Sequence, residues 1–161
     1  MDMEQVFCTE RISFVKITEQ LLSDYLIMIN DYENVNRFTS KSGAHMTEED
    51  EIAWVKKKLD NKAPAFSMIE KKTGEFIGNI ELVGAGDSVK ELGIAITAGK
   101  QDMGYGTEAI PAIVKYGFKE YGLQKIVLKA KPENARAIHV YKKCGFREYD
   151  RNGENVFMEI S

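Results

Sequence analysis

The clearest chemical signal in the sequence is a glycine-containing segment between a strand-like run and a helical pattern. Its residues are Gln101, Asp102, Met103, Gly104, Tyr105, Gly106 and Thr107. The first turn of a helix leaves four backbone N–H groups without partners and carries about half a positive charge. Glycine lets the backbone approach an anion closely. The segment therefore predicts a phosphate-binding loop at the start of a helix.

Two other interpretations compete with phosphate binding. The glycines can simply shape a tight strand-to-helix turn, because two glycines alone are a weak motif. Gly104, Gly106 and Ala109 also match a dinucleotide-binding fingerprint. That fingerprint requires a parallel unit whose next strand ends in an acidic residue, whereas residues 129–131 are Lys-Ala-Lys. The sequence therefore disfavours a dinucleotide site.

Upstream of the loop, two helices are predicted between a first strand and three later ones. Thr18 is a plausible N-cap, and Thr47 with Asp50 resembles a capping box. Between these helices, residues 31–45 are polar and aperiodic, and we expect them to form a substrate loop. The strand-like runs lie at residues 12–17, 65–70, 76–82 and 91–97. Short turns join the last three, which predicts an antiparallel meander.

The loop leads into a long amphipathic helix, predicted over residues 104–121 from its apolar stripe. Pro111 falls inside this stripe and has no N–H to donate. The helix therefore either starts late, near Thr107 or Glu108, or kinks at the proline. A late start would leave Pro111 in an early turn, where it removes only one hydrogen bond.

The rest of the chain predicts a strand, a helix and a closing hairpin. Asn134 is the expected helix N-cap and Gly145 the expected left-handed terminus. The strand-like runs lie at residues 125–131, 146–150 and 156–160. The complete order predicts one α/β domain over residues 1–161, with a largely antiparallel first half.

Composition argues against several other classes of protein. The 22 basic and 25 acidic residues give a net charge of −3 with no dense block of either sign, which disfavours nucleic-acid binding. Cys8 and Cys144 form no CxxC pair, and His45 and His139 lack a partner at metal-ligand spacing, so we expect no metal. Residues 1–9 carry no apolar leader, and we expect a cytoplasmic protein with no membrane partner.

The loop and its flanks together resemble the GNAT N-acetyltransferase superfamily. The spacing Gln101-x-x-Gly104-x-Gly106 is similar to its acyl-CoA pyrophosphate motif. The run ELGI at residues 91–94 and the run NARAIHVYKKCGF at residues 134–146 are similar to its flanking motifs. The resemblance covers residues 12–160 and is greatest to the branch of ribosomal-protein N-terminal acetyltransferases and spermidine acetyltransferases.

This resemblance implies a fold and a co-substrate, acetyl-CoA. The fold is a mixed, mostly antiparallel central sheet flanked by helices, in which the strands at residues 91–97 and 125–131 splay apart to hold acyl-CoA. The pantetheine arm is expected to pair with the backbone of Ile94, Ala95 and Ile96. The pyrophosphate is expected to meet the N–H groups of residues 102–107, beside Gln101.

The resemblance also assigns catalytic roles. Tyr141 matches the family's tyrosine and is expected to protonate the departing thiolate, because a phenol with a pKa of about 10 keeps its proton at neutral pH. Periodicity alone would place Tyr141 in the core. Asn134 is expected to cap its helix and contact pantetheine. Glu91 is expected to deprotonate the amine directly or through water, with a solvated structural role as an equal alternative.

The acceptor is expected to be a primary amine, such as a protein N-terminus, a polyamine or another small amine. Asp31 and Glu33 hint at a cationic substrate. The main alternative is a non-catalytic acyl-CoA-binding sensor or partner protein, which keeps the loop but transfers nothing. Cys144 is interpreted as a packing residue. Dimers are common in the resembling branch, so a homodimer is also considered.

Overall fold

The computed structural model describes residues 3–161, so the expectation for residues 1–9 lies partly outside the described residues. The strands are β1 (Gln5–Cys8), β2 (Ile12–Lys16), β3 (Ala65–Glu70), β4 (Phe76–Val83), β5 (Val89–Ile96), β6 (Lys125–Ala130), β7 (Arg147–Arg151) and β8 (Val156–Ile160). The helices are α1 (Leu22–Ile29), α2 (Glu48–Asp60), α3 (Tyr105–Tyr121) and α4 (Ala135–Lys143). The predicted order is confirmed, and β1 is a strand that the sequence analysis missed.

The mixed, mostly antiparallel sheet is also confirmed. Its eight strands are hydrogen-bonded in the order β1-β2-β3-β4-β5-β6-β8-β7. The chain packs as two compact units, of which one runs up to Glu81 and includes Ile94–Tyr105, and the other comprises Leu82–Gly93 and Gly106–Ser161. Among residues 3–161, no helix combines the length and apolarity needed to cross a bilayer.

In the first unit, three antiparallel pairings join β1 to β4. The register of β2 and β3 pairs Ile12 with Glu70, and that of β3 and β4 pairs Ala65 with Glu81, which confirms the predicted hairpin. Helices α1 and α2 contact each other. A buried cluster fills this unit, and Tyr25 and Val55, from the two helices, lie in it with Val15 of β2. Apolar burial of this kind is the main stabilising contribution to the unit.

In the second unit, β5 and β6 pair in parallel. The pairing joins residues 89–91 to residues 125–127, three residues from each strand. Strands β6, β8 and β7 are antiparallel neighbours, which confirms the closing hairpin. On α3, a Cβ added at Gly117 would lie 2.8 Å from Leu82 Cδ1. A larger residue at this position would therefore require the Leu82 side chain to shift.

The predicted helix caps are present, with one difference. The Thr47 N–H donates to Asp50 Oδ2 at 2.8 Å and the Asp50 N–H donates to Thr47 Oγ1 at 3.2 Å, so the capping box of α2 is confirmed. Thr18 accepts from the Gln20 N–H and caps the 3₁₀ turn Glu19–Leu21 rather than α1. The helix begins one turn later, because the chain first completes this tighter turn.

Helix α3 begins at Tyr105, so the late start near Thr107 or Glu108 is wrong. Pro111 is the seventh residue of the helix and lies inside it, with its ring exposed. Because proline has no N–H, the Thr107 carbonyl lacks the usual donor four residues further along the helix. The sequence pattern alone does not indicate that α3 keeps its first turn despite the missing hydrogen bond to the Thr107 carbonyl.

Candidate active site

The loop before α3 has an uncommon backbone. Gln101 is extended, with φ −75° and ψ 157°, whereas Asp102 has φ 61° and Gly104 has φ 81°. A left-handed residue other than glycine is uncommon and is maintained only when its surroundings fix it. Where right-handed and left-handed backbone conformations alternate, successive N–H groups point into one concave surface that can bind an anion.

The candidate phosphate-binding residues occupy this loop and the first turn of α3. The N–H groups of Tyr105, Gly106 and Thr107 have no acceptor within the helix, as in any first turn. Asp102 and Met103 are exposed, and Gly106 adopts helical rather than left-handed geometry. Of the two motif glycines, Gly104 is thus the one whose conformation requires glycine.

Arg11, just before β2, holds the loop from one side. Its Nη1 donates to the Met103 carbonyl oxygen at 2.9 Å. Its guanidinium carbon lies 4.3 Å from the centroid of the Tyr105 ring, a cation–π distance. A Cβ built on Gly104 would lie 3.3 Å from Arg11 Nη2. A positive charge therefore lies directly against the loop.

Glu70, at the end of β3, holds the other side. The Tyr105 hydroxyl donates a hydrogen bond to its carboxylate, and Thr73 Oγ1 does so at 2.6 Å. Lys100 Nζ lies 3.2 Å from Glu70 and 2.7 Å from Glu75. The hydrogen bonds from Thr73 and Tyr105, reinforced by Lys100, lower the pKa of Glu70 to about 2. Glu70 is therefore ionised at any neutral or mildly acidic pH.

Gln101 connects three segments of the first unit. Its side-chain Nε2 donates to the Ile96 carbonyl at 2.8 Å and to the Asn34 carbonyl at 3.0 Å. Its backbone N–H donates to the Ala98 carbonyl at 3.3 Å. The residue that opens the predicted pyrophosphate motif thus joins the loop to the end of β5 and to the polar 31–45 segment.

The β5 residues expected to pair with pantetheine, Ile94, Ala95 and Ile96, are partly exposed. Close by, a Cβ added to Gly78 of β4 would lie 2.0 Å from the Ala95 carbonyl oxygen. That distance is impossible for real atoms, so position 78 requires glycine for β4 and β5 to approach here. The end of β5 is therefore held against β4 by backbone packing.

The polar segment at residues 31–45 is organised by two asparagine amides. The Asn30 side chain both donates to the Met46 carbonyl and accepts from its N–H. Asn36 is buried and bonds to the backbone of Lys41, Gly43 and Ala44. A cavity of about 140 Å³ beside them is lined by Asn30, Tyr32, Asn36, Gly43, Ala44 and His45.

In the second unit, Tyr141 lies in the last turn of α4 and is fixed by the helix ending. The Phe146 N–H donates to the Tyr141 carbonyl at 3.0 Å and the Gly145 N–H to that of Lys142 at 3.1 Å, a Schellman motif. Gly145 has φ 100°, which confirms the predicted left-handed terminus. The Tyr141 and Phe146 rings pack edge to face at 6.2 Å. Burial raises the pKa of Tyr141 to about 12.

Asn134 and Glu91 have well-defined positions in the same unit. The Ala137 N–H donates to Asn134 Oδ1 at 3.4 Å, which confirms the N-cap. Glu91 is half-buried and pairs with Val127 at the last step of the parallel register. The catalytic role of Glu91 and the coenzyme contact of Asn134 stay predictions.

Cys144 is a packing residue beside the first turn of α3. Its Sγ lies 3.9 Å from the Thr107 carbonyl oxygen, and burial raises the pKa of its thiol. A nucleophilic cysteine needs a lowered pKa, so its surroundings favour packing. Among residues 3–161, no group of three or more His, Cys, Asp or Glu side chains is arranged to hold a metal.

Sequence reasoning missed Arg11 and Glu70, which contact the loop directly, and Lys100, which contacts Glu70. Arg11 and Glu70 lie 92 and 35 residues away from their loop partners, Met103 and Tyr105. The register of β2 and β3 brings the Arg11 end of β2 to the Glu70 end of β3. The one usable signal was a charged residue at the end of each predicted strand.

The sequence is similar to that of known acetyltransferases. A family model described as an acetyltransferase (GNAT) domain matches residues 11–147. An uncharacterized N-acetyltransferase of Bacillus subtilis (strain 168), YnaD, is 34% identical over 125 residues, which are 73% of this chain and 74% of the relative. A spermidine N(1)-acetyltransferase of Vibrio cholerae is 27% identical over 132 residues, 81% and 76% of the two chains.

Solved structures give the same fold. A GNAT-family acetyltransferase from Bacillus anthracis has a TM-score of 0.83 and 24% identity, covering 99% of this chain and 98% of its own. A Vibrio cholerae spermidine N-acetyltransferase, in complex with CoA and spermine, has a TM-score of 0.82 and 22% identity, covering 94% and 96%. With the family match across most of the chain, these similarities establish that the protein belongs to the GNAT acetyltransferase family and is an N-acetyltransferase.

Proposed function

We propose that this N-acetyltransferase uses acetyl-CoA and moves the acetyl group to a primary amine by direct attack in a ternary complex. The observation that carries the proposal is the loop with its left-handed Asp102 and Gly104, which opens into the first turn of α3. The residues present fit a pyrophosphate, because Gly104 and Gly106 lack a Cβ and lie at the N-terminus of α3, where first-turn N–H groups suit an anion. Acetyl-CoA would supply the activated acetyl group.

Each part of the coenzyme has a proposed set of partners. The N–H groups of residues 102–107 receive the pyrophosphate. The backbone of Ile94, Ala95 and Ile96 pairs with the pantetheine arm, and Asn134 contacts the arm while capping α4. The register of β5 and β6 supports the pantetheine site. In it, residues 89–91 pair with β6 and residues 94–96 do not, so the backbone of residues 94–96 needs other partners.

Tyr141 is the proposed general acid. The raised pKa, about 12, keeps its phenol protonated at neutral pH, so the proton is available when the sulfur leaves. The same burial makes the phenol a weaker acid than an exposed tyrosine. The proton is therefore transferred only as negative charge develops on the sulfur. Glu91 is the proposed base, acting on the amine directly or through a water molecule.

The proposed acceptor is a small amine such as a polyamine, with a protein N-terminus as another member of the class. A curated relative and a structural neighbour of this chain, both from Vibrio cholerae, are named or titled as spermidine acetyltransferases. The cavity of about 140 Å³ beside the 31–45 segment supports a small acceptor, because its lining includes two asparagines and a tyrosine and no lysine or arginine.

The proposal is tested by the release of coenzyme A from acetyl-CoA across a panel of amines. Spermidine, spermine, amino acids and short peptides with free N-termini form the panel, and each rate is compared with the rate without amine. Amine-dependent release supports transfer. Tight coenzyme binding without release across the panel would favour the alternative, a non-catalytic acyl-CoA-binding sensor. The proposed homodimer is checked separately by sedimentation.

A further inference from the structure

We propose that Arg11 and Glu70 are positioning residues for coenzyme binding, which hold residues 102–104 in the conformation whose N–H groups receive the pyrophosphate. The inference rests on the proposed function, since it concerns the same loop. It adds two residues that lie far from the loop in sequence and outside the GNAT motif segments.

The first step concerns the backbone of Asp102. A left-handed residue with a Cβ is strained and persists only where neighbouring contacts fix the chain on both sides. Lys100 and Gln101 precede it, and both side chains are bonded to other segments of the first unit. Met103 and Tyr105 follow it and are held by Arg11 and Glu70. Asp102 therefore lies between two anchored stretches.

The second step concerns how the anchors act together. Arg11 bonds the Met103 carbonyl through one nitrogen and covers the Tyr105 ring with its planar face. The Tyr105 hydroxyl, at the far end of the ring, donates to Glu70. The ring is therefore fixed on its face and at its tip. Since Tyr105 is the first residue of α3, this arrangement sets the direction of the N–H groups in the first turn.

The third step concerns charge. Glu70 is buried and accepts hydrogen bonds from Lys100, Thr73 and Tyr105, and the positive charge of Lys100 opposes its negative charge. Arg11 brings a positive charge to within 3.3 Å of the position that a Gly104 Cβ would take. The positive charge of Arg11 therefore favours an anion at the loop, whereas a Glu70 without Lys100 beside it would oppose one.

The test is the dissociation constant of coenzyme A, measured by calorimetry on the wild-type protein and three variants, with kcat measured beside it. Tyr105→Phe removes the hydroxyl and keeps the ring under Arg11. Arg11→Met removes the guanidinium, and Arg11→Lys keeps a charge but not the planar fork. We expect the dissociation constant to rise about fivefold to tenfold for each variant, and kcat at saturating acetyl-CoA to stay within about twofold in the two Arg11 variants.

Glu75→Gln is the matched control, because it breaks the second ion pair of Lys100 without contacting Met103 or Tyr105. We expect its dissociation constant to stay within about twofold of the wild type. Melting temperatures identify variants that are merely unfolded, and Tyr105→Phe is the conservative variant expected to fold. Restored affinity in Arg11→Lys, or unchanged affinity in Tyr105→Phe and Arg11→Met, would overturn the inference. A wild-type protein that does not bind coenzyme A would overturn the proposed function itself.

Discussion

Cys144 Sγ lies 3.9 Å from the Thr107 carbonyl oxygen and donates to it. Pro111 cannot supply the N–H that this carbonyl would receive in a regular helix. A thiol from the end of α4 thus occupies a position at which the helix lacks a donor. Thiols are weak donors, so the contact compensates only partly for the missing hydrogen bond.

Pro111→Ala should therefore stabilise the protein. It restores a donor to the Thr107 carbonyl and removes an interior proline, while the exposed ring contributes little packing. We expect a gain of about 1–3 kcal/mol in the free energy of unfolding, measured in urea. Lys115→Ala, at an exposed position of the same helix, should change the free energy of unfolding by less than about 0.5 kcal/mol.

Cys144→Ala should destabilise the wild type more than it destabilises the Pro111→Ala background. Equal losses would show that the thiol contact carries no energy.

Tyr141→Phe separates catalysis from packing. The ring and its contact with Phe146 remain, so the melting temperature should change little. If the phenol protonates the departing thiolate, kcat should fall by about 10² to 10⁴ while acetyl-CoA affinity stays within a few-fold. Single-turnover measurements exclude masking by slow product release. A fall below about threefold would assign the proton to water and return Tyr141 to the core.

Gly104→Ala should weaken acetyl-CoA binding. The added Cβ is strained at φ 81° and meets Arg11 Nη2 at 3.3 Å, so the loop must move where the pyrophosphate is proposed to bind. Gly122→Ala is the control for strain alone, because its φ is 58° and nothing lies within 4 Å of the new Cβ. We expect both to lower the melting temperature and only Gly104→Ala to raise the dissociation constant. Equal affinities in the two variants would place the pyrophosphate elsewhere.

The contribution of Glu70 to stability should depend on pH. Its pKa in the folded protein is about 2, below the ordinary value of 4.5, so folding favours the ionised form. This stabilisation is present above about pH 4.5 and is lost as the pH falls towards 2. The difference in unfolding free energy between wild type and Glu70→Gln should therefore be largest at neutral pH and shrink below pH 4.5. A difference that is constant from pH 7 to pH 3 would contradict the ionised network.

Asn134 can be examined for its two proposed roles separately. Asn134→Ala removes the cap of α4 and should destabilise the protein by about 1 kcal/mol. Asn134→Ser keeps a capping oxygen and should retain most of the stability. If the amide also contacts pantetheine, the serine variant should still show a raised KM for acetyl-CoA. Wild-type kinetics in Asn134→Ser would restrict this residue to capping.

Local signals predicted most of the fold because each acts within a few residues. The capping box at Thr47 and Asp50 and the glycine terminus at Gly145 depend on neighbours in sequence, and both are present. Strand β1 was missed because its four residues are mostly exposed and carry no clear alternation. The sequence left the first residue of α3 undecided because Pro111 disfavours a long helix locally. In the structure, tertiary contacts of Tyr105 and Thr107 oppose that preference.

The candidate site was predictable only in part. The glycine loop, Asn134 and Tyr141 could be predicted because family motifs are read along the chain, and their roles stay predictions. Arg11 and Glu70 could not be found in this way, since their contacts with Met103 and Tyr105 form only after the sheet has assembled. Residues that contact a loop from distant parts of the chain leave no spacing pattern in the sequence.

The bonds of Gln101 have a consequence for the order and strength of binding. One amide nitrogen holds both Asn34, in the proposed acceptor segment, and Ile96, at the end of the proposed coenzyme strand. An acceptor that shifts Asn34 must therefore stretch or release a bond shared with the coenzyme side. Linkage then requires that the two ligands change each other's affinity by the same factor. If the acceptor shifts Asn34, the binding of acceptor and the binding of coenzyme are therefore coupled through the Gln101 side chain.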